Sequence, residues 1–259
     1  MSDKSNHWYK ADGTPQHTIV GKNGKERPPR VKEAMELGLF PSVTTKLSVI
    51  ANHALNDWKL EEVAKYCAFN RLEEGENPDD YAERVTQGAM EQVGAAADLG
   101  TRIHDALERY FQGETYPTDL AAYVSAVDRW VKENKIKFLA HELRLVNKEI
   151  GYAGTTDAAF ECPKGYGILD FKSRKTKPGE KVRAYETQVM QIAAYHVCHW
   201  GPISTDLERP PIGCNLYIST TEPGRVEAVW YTAEELDDAW QAFVYASRLW
   251  DYFKGYEIQ

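Results

Sequence analysis

The chain has 259 residues, with 31 basic and 39 acidic side chains and a formal net charge of −8. At 42% hydrophobic and 12% aromatic residues it is too apolar for a disordered chain and too mixed for a fibrous one. The acidic total argues against nonspecific coating of nucleic acid, and no run approaches the roughly 18 consecutive apolar residues of a membrane span. The polar start MSDKSNHWYKADG lacks the apolar segment of a secretory signal. The cysteines at 67, 162, 198 and 214 show no Cys-x-x-Cys or other metal-knuckle spacing and are too few for a disulfide scaffold. A soluble protein of a reducing, cytoplasmic compartment is expected.

In chain order, residues 7–32 carry turn signals at Asp12-Gly13, Asn23-Gly24 and Pro28-Pro29 and read as irregular or hairpin-like. A helical region follows Pro41-Ser42, with Leu47, Ile50, Leu55 and Trp58 as a broken stripe reaching about Leu72. GENPDD (75–80) interrupts it, and a second long helix is predicted from about Tyr81 to Gln112. A third spans about Asp119 to Asn134, on Leu120, Tyr123, Val127, Trp130 and Val131. The texture then changes to short β-suited segments at 137–147, 153–162 and 166–173. A helix from about Lys181 to Trp200, strands near 212–220 and 225–231, and an amphipathic helix from about Ala233 to Phe253 complete the chain. The expected class is α/β, with an irregular segment and helical cap over 1–98 and a sheet-containing core over 99–259.

Two local basic runs offset the acidic total. Residues 22–32 hold five basic side chains against one acid, and residues 172–183 hold six against one. Either could be a solvated loop, which is the ordinary fate of a charge run. The segment with chemistry is LDFK. Asp170 and Lys172 lie two apart on a predicted strand and so share a face, with Leu169 and Phe171 turned to the other side. Asp157, in GTTD, lies on the preceding strand, and a hairpin across 163–165 brings it beside Asp170. Two converging carboxylates can bind a hard divalent cation, and the adjacent lysine can hold a water or meet charge developing on phosphate. An ordinary Asp–Lys surface pair fits the same letters. Upstream, His104 stands one turn before Glu108 on a helix. Downstream, Gln188, Gln191 and Tyr195 form a polar stripe.

Taken together, PSVTTKL (41–47), GTRIHDALERYF (100–111), GYAGTTDAAF (151–160), GILDFKS (167–173) and QIAAY (191–195) resemble the PD-(D/E)XK nuclease superfamily, in its RecB-like branch. The likeness includes mitochondrial and phage exonucleases of that branch. It implies a restriction-endonuclease-like core, a central mixed β-sheet flanked by helices, with a helical N-terminal extension. It further implies Mg²⁺ or Mn²⁺ held by His104, Asp157, Asp170 and the carbonyl of Phe171, with Lys172 as the catalytic lysine. Gln191, Tyr195, Ser42 and Thr44 would lie along DNA, as would Arg174, Lys175 and Lys177 of the second basic run. Glu142 falls where many relatives keep a glutamate, and either orients a ligand or bridges to a second metal. Thr156 replaces the leading proline of the motif name. Some branch members hold an iron–sulfur cluster through one early and three late cysteines; the spacing here speaks against one.

The expected function is a metal-dependent DNA exonuclease acting from a free single-stranded end in replication, recombination or repair. A single-strand-binding or recombination protein is a candidate partner, and a viral source would place the protein in the host cytoplasm. In this reading the helical third caps the metal site, its apolar stripe packs on the core, and Lys46, Lys59 and Arg71 line a passage. The rivals are a structure-specific or restriction-type endonuclease on the same fold, a nonenzymatic DNA-binding recombination accessory module, and a metal-dependent nucleotide hydrolase.

Overall fold

The alternating apolar residues of 137–231 build the sheet that positions everything else. The computed structural model describes residues 7–50 and 53–257, with the side chains of residues 53–55, 92–93 and 95–97 outside that description. The N-terminal part comprises β1 (Trp8–Tyr9), β2 (Ile19–Val20), β3 (Glu26–Arg27), α1 (Val31–Glu36), β4 (Phe40–Pro41), α2 (Val43–Leu47), α3 (His53–Phe69) and α4 (Pro78–Phe111). A 3-10 turn (Thr118–Leu120) and α5 (Ala121–Glu133) lead to β5 (Lys137–Asn147), β6 (Tyr152–Cys162) and β7 (Gly165–Arg174). Then come α6 (Glu186–Trp200), β8 (Pro211–Ser219), β9 (Val226–Tyr231) and α7 (Ala233–Lys254).

The central sheet is mixed, in the order β5-β6-β7-β8-β9. Its neighbours pair antiparallel except β7 with β8, which run parallel. A parallel pair needs a crossover, and α6 supplies it. Alternation along the strands divides the core. Leu169, Phe171, Cys214, Leu216 and Ile218 face Ile103 and Leu107 of α4 and the buried side of α5. Ala159 and Ile168 face Ile192 and Ala193 of α6 and Leu236 and Phe243 of α7. The chain is thus α/β, a mixed sheet with helices on both faces and a helical extension before it. No described helix is long and apolar enough to cross a membrane.

Several boundaries differ from the sequence reading for identifiable reasons. The region after Pro41 is two helices, since α2 ends at Leu47 and α3 begins at His53. Leu55, placed in the helical stripe, lies outside the described side chains. The GENPDD segment does more than break a helix. Asn77 caps α4 by accepting the Asp79 amide at 2.8 Å, and Pro78 opens its first turn. α4 then continues for 34 residues, about 50 Å, so it crosses residue 98 without a break. Cap and core, expected as one compact unit, thus share one continuous helix at that point. The helix expected from Lys181 starts only at Glu186, and the loop before it is tied to the β8–β9 turn at Thr176, Lys177, Glu180 and Val182.

The extension also departs from expectation. α3 packs chiefly on α4, leaving Leu60 and Phe69 exposed. The pair forms a two-helix arm rather than a stripe buried on the core. Lys59 and Arg71 are exposed on it. Lys46 is not: it is wholly buried in α2, ion-paired with Asp251 of α7. Its ammonium sits 5.0 Å from the Trp250 ring and 4.9 Å from that of Tyr256. It fastens α2 to α7 and lines no passage.

This pair yields a stability prediction. Burial pushes the Lys46 pKa down and that of Asp251 up, each opposed by the partner's charge. Asp251→Ala leaves the ammonium buried without its counter-charge and should cost about 3–5 kcal/mol in urea denaturation. The double substitution Lys46→Met, Asp251→Leu should recover most of that. An Asp251→Ala variant as stable as the unaltered protein would show that the pair is solvated.

Candidate functional site

The site lies where β6 and β7 part. Their ladder runs from Cys162–Gly165 to Ala158–Leu169 and pairs no further residues. Beyond it, the Phe171 amide donates to Asp157 Oδ2 at 2.6 Å. A side chain thereby takes the place of the missing strand partner, and Asp157 is drawn into the gap beside Asp170 and Lys172. Phe171 keeps its ring in the core, edge-on to the His104 ring at 6.3 Å between centroids.

α4 delivers His104 to the same point. Its Nδ1 lies 3.6 Å from Asp157 Oδ1. Gly100, one turn earlier, lets the helix approach β7: a Cβ there would lie 2.4 Å from Ser173 Oγ. Lys172 reaches Asp170 Oδ2 at 2.6 Å and donates to Gln191 Oε1 at 3.0 Å. Gln191 in turn approaches the Tyr195 hydroxyl at 3.5 Å, and that hydroxyl packs where Gly154 has no side chain. Gln191 and Tyr195 are therefore buried beneath Lys172, on the side of α6 that packs on the sheet. Gln191 braces the lysine directly, and Tyr195 stands behind Gln191.

The electrostatics follow from crowding charges in a poorly solvated gap. Burial and the neighbouring Asp157 raise the Asp170 pKa, against the pull of Lys172. Burial alone would also raise that of Asp157, but the His104 contact and the charges of His104 and Lys172 hold it below the ordinary value. For His104, burial favours the neutral ring, and the two carboxylates outweigh it, so its pKa is raised.

Glu142 stands at the rim. The pairs His141–Ala158 and Leu143–Thr156 bracket it, which sets it opposite Asp157. Its φ of +47° is a left-handed conformation costing a non-glycine residue about 1–3 kcal/mol. Desolvation, with Asp157, Glu108 and Asp105 nearby, pushes its pKa up to about 7.

The remaining sequence candidates take different parts. Ser42 is a buried N-cap whose hydroxyl accepts the Thr45 amide at 3.0 Å. Thr44 is exposed and is the member of that pair a phosphate could reach. Arg174 braces the basic loop, donating to the Arg183 carbonyl at 2.9 Å and to the Tyr185 hydroxyl at 3.1 Å. Lys175 and Lys177 are exposed, and Lys175 lies 3.9 Å from Glu62 of the arm. The β8–β9 turn holds this loop in shape. Thr176 donates to Glu222 at 2.6 Å, Arg225 to the Lys177 carbonyl at 3.0 Å, and the Val182 amide to Glu227 at 2.7 Å. Arg225 was missed from sequence because the loop carbonyls it holds, those of Lys177 and Glu180, lie far away in the chain, although its carboxylate partners Glu222 and Glu227 are near neighbours. Asn215, also missed, reaches Asp170 from the neighbouring strand β8, and Tyr231 of β9 reaches Asn215.

Two carboxylates and an imidazole converging from three elements have the chemistry a hard divalent cation takes, and such a cation would offset the burial and the Asp157 charge that raise the Asp170 pKa. They are not closed into a cage: among the described residues, no three His, Cys, Asp or Glu side chains stand arranged to hold a metal ion. Lys172 instead supplies the charge next to Asp170.

Glu142 gives a pH prediction for the metal-free protein. Between about 4.5 and about 7 the folded chain retains a proton that the unfolded glutamate has released. Stability should therefore fall as pH rises through this window. The effect is trimmed by the solvent that reaches this exposed side chain. Glu142→Gln should flatten the slope in denaturation midpoints across that range; an unchanged slope would assign it to other groups.

No protein-family model matches this chain, and no curated protein matches it. Among solved structures, the chain is similar to that of SSO0001 at 12% identity and a TM-score of 0.28, over 76% of this chain and 88% of that one. Likeness at that level carries no argument about function.

Proposed function

We propose that this protein is a Mg²⁺- or Mn²⁺-dependent DNA exonuclease of the PD-(D/E)XK type. The observation that carries the reading is the gathering of Asp157, Asp170, Lys172 and His104 around one parting of the sheet. Those four are the residues that the family resemblance names, and they come from three elements spread over 69 positions of sequence.

In this reading Asp157, Asp170 and His104 hold the cation, with the Phe171 peptide beside them. The cation, when bound, polarises the scissile phosphate and lowers the pKa of an attacking water. Lys172, steadied by Gln191, presents its ammonium to that water and to the charge that grows on phosphate. Lys175 and Lys177 draw the DNA backbone towards the site and offset the acidic total locally. Support for a free end as substrate comes from the arm. α4 carries both the arm and His104 on one rod, and Glu62 of α3 meets the basic loop at Lys175. DNA approaching Lys172 would pass between arm and loop, which favours a thread over a continuous duplex. The endonuclease on the same fold is the reading to be separated.

Linear and covalently closed circular single-stranded DNA, incubated with Mg²⁺, separate the two. The linear form should be degraded and the circle spared, and excess chelator should stop all cleavage. Equal loss of circle and linear form would favour the endonuclease, and hydrolysis undiminished by chelator would remove the mechanism. Lys172→Ala should lower turnover by about 100-fold or more with a modest change in DNA affinity, because its effect lies in the transition state. Turnover close to that of the unaltered enzyme would contradict the role given to it.

A further inference from the structure

Asp170 is held from a direction that the family motifs do not mention. β7 and β8 run parallel with Asp170 in register with Asn215. Asn215 is fully buried and its Nδ2 donates to Asp170 Oδ2 at 3.3 Å. Its Oδ1 accepts the Tyr231 hydroxyl, from β9, at 2.7 Å. A polar amide in the run Cys214-Asn215-Leu216 costs burial energy unless each of its atoms is satisfied.

We propose that Asn215 and Tyr231 form a positioning relay that fixes the orientation of the Asp170 carboxylate for cation binding. The inference rests on the metal-dependent reading above. Its logic is directional. An ionised carboxylate only accepts, so the amide must turn Nδ2 towards Asp170 and Oδ1 towards Tyr231, whose hydroxyl must then donate. Each group removes the rotational choice of the next. The shortest contacts of Lys172 and Asn215 both fall on Oδ2. Two donors on one oxygen restrict the rotation of the carboxylate, and Oδ1 would be the oxygen offered to a cation. Outer hydrogen bonds of this kind tune metal affinity in many sites, where their loss costs about 10–100-fold.

The alternative is that the three groups only stabilise the sheet, and the test separates the two roles. Mn²⁺ alone is titrated calorimetrically into the full chain, and urea unfolding is followed without metal. Tyr231→Phe should weaken Mn²⁺ binding about tenfold while the chain still unfolds cooperatively. Asn215→Leu should weaken binding at least as much and also destabilise, because it orphans the buried Tyr231 hydroxyl. The double variant Asn215→Leu, Tyr231→Phe removes that orphan. Stability should recover and Mn²⁺ affinity should not. Recovery of both, or affinities unchanged in the single variants, would overturn the relay. An unaltered chain that binds no Mn²⁺ would overturn the metal-dependent reading itself, and the relay with it.

Discussion

The hydrogen bond from the Phe171 amide to Asp157 is the contact on which the site's geometry depends. A strand leaving its ladder must satisfy its backbone elsewhere, and here a carboxylate does so. The consequence is a parted sheet with an acidic side chain fixed in the opening. The same parting admits His104 from the α4 side and Lys172 from the α6 side, two groups that an unbroken sheet would keep on opposite faces. The site is thus built across the sheet and not on one of its surfaces.

Rigid supports surround that opening. Lys172 is braced by Gln191, Asp170 is braced by Asn215, and the basic loop beyond β7 is tied to the β8–β9 turn through Arg225, Thr176 and Glu227. A loop rich in lysine would ordinarily fluctuate because its charges repel. Tying the loop through its carbonyls, one amide and Thr176 leaves the ammonium groups of Lys175 and Lys177 exposed while holding the chain that carries them. Under the proposed nuclease function, phosphate binding would then lose less conformational freedom than it would with a free loop.

The sheet was readable from the sequence because it follows local rules. Alternation from Lys137 to Cys162, turn glycines and the Asp170–Lys172 spacing placed three strands and the main charged pair correctly. What escaped depends on residues far apart in the chain. Lys46 looked like a surface charge on a helix, but its partner is Asp251, 205 positions away. Asn215 is one polar residue in an apolar strand, with nothing in its neighbours along the chain to mark it. Only the parallel register with β7 reveals that it meets Asp170. The loop before α6 likewise depends on the β8–β9 turn, which ties it at Thr176, Lys177, Glu180 and Val182. Gln191 and Tyr195 were found as a stripe, yet periodicity does not say which face is buried. The packing of α6 on the sheet decides that, and it sets Gln191 against Lys172 with Tyr195 behind it.

The central claim is that the parting of β6 and β7 is a cation site. Anomalous scattering from crystals soaked in Mn²⁺ tests it most directly, because it locates the ion without reference to activity. The account predicts a peak within coordination distance, about 2.0–2.6 Å, of carboxylate oxygens of both Asp157 and Asp170, with His104 adjacent. A peak elsewhere on the molecule, or none at this opening in crystals where the soak has reached the protein, would contradict it.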